Sequence, residues 1–86
     1  MGNIDMKELL VYMIRQLVDN PDEVTVDEIP SENAAGVAET TLEVRVAKED
    51  MGKVIGRQGR IAKEIRTLIR SYAQRTGQKV SVDIVD

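Results

Sequence analysis

Eighty-six residues make one small domain, and with 42% hydrophobic residues but only two aromatics, Tyr12 and Tyr72, its core must be aliphatic. With neither cysteine nor histidine, the chain has no disulfide framework and lacks the usual metal ligands and general base. That argues against hydrolytic catalysis and predicts no enzyme, no metal and no cofactor. The net charge of −3 is unevenly laid out: four cations and twelve acids run from Met1 to Met51, then eight cations and a single acid, Glu64, from Gly52 to Lys79. No apolar stretch approaches a membrane span and no signal-peptide pattern opens the chain, which predicts a cytoplasmic protein without membrane contact.

Taken in order, the periodicity predicts a first helix from Asp5 to Asp19, with Met6, Leu9, Leu10, Met13, Ile14, Leu17 and Val18 on one face. Asn20-Pro21 ends it, because proline cannot continue a helix. Val24-Thr25-Val26 opens a strand that ends near Ile29-Pro30, and the small, polar run from Ser31 to Ala38 reads as a loop. From Thr41 to Ala47 the residues alternate, with Leu42, Val44 and Val46 on one side and Thr41, Glu43 and Arg45 on the other. The short connection makes these two strands an antiparallel hairpin. A short helix from Glu49 to Ile55, a GRQG turn and a long helix from Arg60 to Thr76 follow. The long helix has Ile61, Ile65, Leu68, Ile69, Tyr72 and Ala73 inside, and Gly77 lies just past its end. Alternation returns from Lys79 to Val85. A strand–helix–helix–strand crossover places this last strand parallel to its neighbour. The expectation is an α+β domain of order α-β-β-α-α-β: a three-stranded mixed sheet with three helices on one face.

Chemistry concentrates in the run from Val54 to Ile65, VIGRQGRIAKEI. Gly56 and Gly59 bracket Arg57 and Gln58, and glycine permits a sharp turn and close backbone approach. The following helix presents free N–H groups and its positive dipole end at that turn, an anion site for which phosphate is the usual ligand. Glycine between helices is also ordinary cap chemistry, so the weight rests on the flanks. Cations Lys53, Arg57, Arg60 and Lys63 surround the turn, and aliphatic Val54, Ile55 and Ile61 lie beside it. The reading is a groove for single-stranded RNA. The backbone N–H groups of Arg57, Gln58 and Gly59 hold phosphates, the four cations attract and contact the strand, and Val54, Ile55 and Ile61 form an aliphatic floor, with ordinary core the alternative for each and the favoured one for Val54. The loop from Ser31 to Ala38 is the expected opposite wall. So few aromatics argue against base stacking of the kind used by sheet-platform RNA binders.

This stretch resembles the GxxG signature of the KH domain, and the element order resembles the type II, prokaryotic KH fold. Within it the chain is similar to the KhpA family of small bacterial proteins, through LVDNPDEVTV, KEDMGKVIGRQGRIAKEIRTLI and KVSVDIVD. The resemblance covers nearly the whole chain and implies a single KH domain over residues 1–86, with 1–5 a poorly ordered extension. It further implies an RNA chaperone or post-transcriptional regulator tied to cell elongation, division and hence cell shape. Its implied partners are RNA, a second copy in a homodimer, and a KhpB-like KH protein. Two departures stand out. Ala62 occupies a position where many KH sequences have a large aliphatic, which puts the shape of the base-binding groove in question. Gln58 replaces a second loop cation, leaving Arg57 alone inside the turn. Two rivals are a helix-turn-helix on duplex DNA and a KH-fold ribosome-assembly or protein-interaction module with little RNA affinity of its own. A phosphate loop of the GxxxxGK[ST] type is absent.

Overall fold

The computed structural model describes residues 5–85. Three helices, α1 (Met6–Arg15), α2 (Met51–Ile55) and α3 (Arg60–Arg75), accompany three strands, β1 (Thr25–Glu32), β2 (Ala38–Arg45) and β3 (Val80–Ile84). The sheet order is β1-β2-β3, with β1 antiparallel and β3 parallel to the central strand. The α-β-β-α-α-β order and mixed sheet are those of a type II KH fold.

The period-2 pattern decides which face is covered. Val26, Leu42, Val44 and Val82 pack in one cluster with Leu10 and Ile14 of α1, Val54 of α2 and Ile65 and Ile69 of α3. Their sheet neighbours Asp27, Arg45, Ser81 and Asp83 are exposed on the opposite, open face. With no large ring in this cluster, stability rests on many interlocked aliphatic side chains, each contributing roughly 1.5–3 kcal/mol when fully buried.

Several boundaries differ from the sequence expectation, each for a local reason. Asp5, expected both to end a poorly ordered extension and to begin the helix, is the N-cap of α1 and accepts a hydrogen bond from the Lys7 amide at 2.9 Å. Residues 1–4 of that extension lie outside the described residues. Helix α1 stops at Arg15 rather than Asp19, because the backbone N–H groups of Asp19 and Asn20 are drawn to the Asp50 carboxylate at 3.2 and 3.0 Å. Strand β1 runs through Pro30 to Glu32. Pro30 is tolerated because β1 is an edge strand, with one row of N–H groups unpaired in any case.

The hairpin loop therefore shrinks to residues 33–37, and Asn33 builds it. Its side-chain oxygen accepts from the amides of Ala35 (2.9 Å) and Val37 (3.1 Å), and Gly36 adopts φ +77°. This loop is not the opposite wall of the groove. Strand β2 leads away from it toward α2 and the GRQG turn, and α3 runs back to deliver Val80 opposite Thr40. The hairpin tip thus sits by the end of α3, where Val37 and Ala38 line a cleft of about 660 Å³ with Thr76, Gly77 and Gln78.

Candidate nucleic-acid interface

Helix α2 ends when the Gly56 amide bonds the Gly52 carbonyl at 2.9 Å and the chain turns through φ 78°, ψ 173°, a region essentially reserved for glycine. Arg57 to Gly59 then form one 3₁₀ turn, with the Gly59 amide on the Gly56 carbonyl at 3.1 Å and the Arg60 amide on the Arg57 carbonyl. Inside it Gln58 is left-handed at φ 57°, ψ 25°, and Gly59 follows at φ 74°, ψ 13°. A helical residue followed by a left-handed one points successive N–H groups into one small concavity, a backbone nest suited to an anion. Among the described residues, the amides of Arg57 and Gln58 have no partner within the chain. The Gly59 amide, expected to share their role, is already bonded to Gly56, so the nest offers two donors rather than three.

Helix α3 opens at this point. Its cap residue Gly59 supplies no side-chain acceptor, and its first turn carries no acid, so its positive end stays unneutralised. Arg57, Arg60 and Lys63 are exposed around it. Among the described residues only Arg45 and Lys53 form salt bridges; every cation from Arg57 to Lys79 is left without one.

Lys53 behaves differently from the other three predicted cations. Its ammonium bonds the Asp19 carboxylate and lies 3.6 Å from Asp50. The Asp19 hydrogen bond raises its pKa against the opposing effect of desolvation, with the Asp19 and Asp50 charges adding to the rise. Lys53 is thus a cation whose field the chain itself largely cancels.

The expected aliphatic floor divides. Val54 is completely buried in the core, whereas Ile55 is 38% exposed beside the turn and Ile61 is half-buried against Gly56. Ala62 is buried on the core side of α3, so it does not shape an open groove.

Two residues escaped the sequence reading. Asp50 is fully buried and accepts from the backbone of Asp19 and Asn20 and from Asn20 Nδ2 at 3.0 Å, pinning the α1–β1 connection to the start of α2. Burial pushes its pKa up, but the Asn20 and Asp19 hydrogen bonds and the Lys53 charge together outweigh that and hold it below the ordinary value. Its signal was the spacing: Ala47, Asp50 and Val54 fall on one helical stripe, and all three are buried. Arg66 is the second, donating from Nε to the Val82 carbonyl at 3.3 Å across the open edge of β3. A single arginine on a basic helix face carries no sequence signal for such a contact.

The family model for the KH domain of KhpA and KhpB matches residues 7–84. A Clostridium acetobutylicum protein named RNA-binding protein KhpA is 50% identical over 80 residues, covering 93% of this chain and 100% of its own length. Proteins of the same name from Chlamydia pneumoniae (44% identical, 94% and 97% covered) and Borreliella burgdorferi (43%, 92% and 90%) are similar as well. Among solved structures, Aquifex aeolicus Era bound to GDP and aluminium fluoride superposes with a TM-score of 0.61 at 18% identity, over 96% of this chain and 31% of Era. Era in complex with MgGDPNP and a segment of 16S ribosomal RNA gives 0.64 at 18% identity, over 95% and 31%. The Era matches speak to fold alone.

Proposed function

Because the chain belongs to the KhpA/KhpB family of KH domains, we propose that it binds single-stranded RNA, with the GRQG turn holding the phosphate backbone. The observation that carries this reading is the pair of amides on Arg57 and Gln58 that have no partner among the described residues, set in a nest at the unneutralised end of α3 and beside Arg57, Arg60 and Lys63, which form no salt bridge among those residues. Phosphates fit the nest, Arg57, Arg60 and Lys63 supply attraction and contact, and Ile55 and Ile61 offer apolar surface to the bases. Lys53 supports the site through its ion pairs with Asp19 and Asp50, and Val54 as core.

The domain is a binding module rather than an enzyme, acting as an RNA chaperone or post-transcriptional regulator in the cytoplasm. No helix among the described residues is long and apolar enough to cross a membrane. One such site binds modestly and gains from pairing, either with a second copy or with a KhpB-like KH protein. Met6, Leu10 and Ile14 of the α1 stripe are used in the core, while Leu9, Val11 and Met13 are only partly buried. Among the described residues, Tyr12 and Leu68 are the most exposed of the large apolar side chains, at 65% and 60%, ahead of Val37, Ile29 and Ile55. The test is binding of the isolated protein to labelled single-stranded RNA at low salt. No binding there would leave a protein-interaction or ribosome-assembly module as the reading.

A further inference from the structure

We propose that Asp19 is a built-in competitor for the RNA backbone: its carboxylate takes the place of a phosphate on Lys53 and keeps that ammonium off a bound strand. The proposal rests on the single-strand reading above and adds to it a residue that limits affinity. Eight cations run from Gly52 to Lys79, and among the described residues Lys53 alone of them forms a salt bridge. It is also the cation next to the turn on the α2 side. Its restraint comes from a residue thirty-four positions upstream, placed there by the fold.

Burial does not require this pair. Asp50, the buried carboxylate of the cluster, already accepts from two backbone amides, at 3.2 and 3.0 Å, and from Asn20 Nδ2 at 3.0 Å. Lys53 lies 3.6 Å from it, a longer contact. The Asp19 side chain is 75% exposed, so water solvates its carboxylate well with or without Lys53. What the fold does fix is where that carboxylate stands. The Asp19 amide is bonded to Asp50, which holds the residue beside the start of α2. A carboxylate anchored in this way competes for Lys53 at little further ordering cost.

Lys53 has two directions open to it. Helical side chains lean toward the N-terminus of their helix, and Lys53, the third residue of α2, leans back to Asp50 and Asp19. The GRQG turn lies at the other end, with Gly56 three residues on, about 4.5 Å along the axis. A flexible four-carbon stem covers that rise, so a released ammonium reaches a phosphate seated on the Arg57 and Gln58 amides. With Asp19 in place the ammonium is occupied, and the strand is held by Arg57, Arg60 and Lys63.

The experiment titrates a labelled oligouridylate of about ten nucleotides by fluorescence anisotropy, from about 50 to 200 mM salt. The proteins are the parent, Asp19→Asn, Asp22→Asn and Asp19→Asn/Lys53→Met. Asp22 is exposed in the same connection and forms no salt bridge among the described residues. Asp22→Asn therefore makes the same charge change without freeing Lys53. Asp19→Asn is expected to tighten binding several-fold at the lowest salt, against less than about twofold for Asp22→Asn. One added phosphate contact steepens the slope of log affinity against log salt by about 0.7, so the gain shrinks by about 2.6-fold at 200 mM. Adding Lys53→Met is expected to return both affinity and slope to those of the parent. A merely structural bridge would give the opposite sign, since its loss loosens the fold and does not strengthen binding. Asp19→Asn no tighter than Asp22→Asn, or a gain that survives Lys53→Met, overturns the proposal. The clamp is tested separately. If Arg57→Asp/Gln58→Asp leaves binding unchanged while the Asp19→Asn gain still needs Lys53, the competitor stands and the clamp falls. If neither the parent nor Asp19→Asn binds the oligonucleotide, both fall.

Discussion

A Cβ placed on Gly56 would lie 2.6 Å from Ile61 Cγ1, 2.8 Å from its Cβ and 2.9 Å from its Cδ1. The turn out of α2 and the first apolar residue of α3 are therefore fitted without space for a methyl group. Gly59, three residues on, has a positive φ of 74° but nothing within 4 Å of its would-be Cβ. One glycine of the loop is required by packing and conformation together, the other by conformation alone.

Alanine substitution separates the two requirements. Gly59→Ala meets only the left-handed penalty of about 1–2 kcal/mol, part of which is returned by a less flexible unfolded chain. Gly56→Ala incurs about 1–3 kcal/mol of strain and, in addition, the overpacking cost of displacing Ile61, about 1–3 kcal/mol. Urea unfolding is expected to rank Gly56→Ala clearly below Gly59→Ala, with Ile61→Ala in the Gly56→Ala background relieving only part of the clash, since the Cβ contact at 2.8 Å remains, and none of the strain. Equal losses for the two single variants would contradict the packing account.

Gln58 is the left-handed residue without glycine's freedom. Asparagine enters this region more readily than glutamine, so Gln58→Asn is expected to leave stability equal or raised by up to about 0.5 kcal/mol. Gln58→Val, β-branched, is expected to lose about 1–2 kcal/mol. A valine variant as stable as the parent, measured by thermal melting, would mean that the loop does not hold this conformation in solution.

Much of this molecule is legible in its sequence because its elements obey simple periods. Leu42 and Val44 alternate with exposed neighbours, Ile65, Ile69 and Ala73 recur at helical spacing, and Gly77 marks the end of α3; all lie where the pattern places them. What escaped depends on contacts distant in sequence. Asp50 reaches back thirty residues to Asn20 and in doing so shortens α1, which no local pattern encodes. Lys53 looked like its neighbours Arg57 and Arg60 until Asp19, far upstream, was folded against it. The hairpin tip was misplaced for a similar reason: strand direction, not composition, decides which end of the sheet a loop occupies.

The Asp50 cluster makes stability depend on pH at the acid end. Its carboxyl pKa in the folded protein is lower than the unfolded value near 3.8, so the folded state favours the ionised form. That contribution is complete above pH 3.8 and is lost as the pH falls through the lower folded value. Asp50→Asn presents an amide N–H₂ to donors that need an acceptor, and is expected to melt well below the parent at pH 7. The gap is expected to narrow as pH drops below 3.8, because the parent's carboxyl protonates too. Lys53 acts at the other extreme: its folded pKa is raised, so its contribution is present below pH 10.5 and lost as the pH climbs through the higher folded value. A melting gap constant from pH 7 to pH 2 would separate Asp50 from the acid transition.

Lys53 and Arg60 make a matched comparison of tied and free cations. Lys53→Met removes a charge already offset by Asp19 and Asp50, so RNA affinity is expected to change less than about twofold while stability falls. Arg60→Met removes an unpaired charge at the start of α3, with an expected loss of several-fold and a salt slope shallower by about 0.7. Titration by fluorescence anisotropy at three salt concentrations distinguishes the two. The reverse ranking would put Lys53 back on the RNA.

The sharpest test replaces Arg57 and Gln58 with aspartate and keeps both glycines. The fold should not object. Both side chains are exposed, aspartate tolerates the left-handed conformation of position 58, and acids just before α3 suit its positive end. Stability is expected to change by no more than about 0.5 kcal/mol. Binding is another matter, because two carboxylates now stand where phosphates approach and the only loop cation is gone. A like-charge contact at 4 Å costs on the order of 4 kcal/mol at surface dielectric, about 1–2 after salt screening. Two such contacts lower RNA affinity by at least about tenfold to a hundredfold. The control is Glu43→Lys on the open face of the sheet, where Asp27 and Asp83 stand directly across and receive a cation readily. It shifts charge in the opposite sense on the side away from α3 and is expected to alter binding little. The clamp is falsified if the double-aspartate variant keeps the parent's circular dichroism and melting curve and still binds RNA as the parent does. If it unfolds, Arg57→Gln alone carries the test: it removes the loop cation without adding charge, and unchanged binding at low salt would equally rule the loop out.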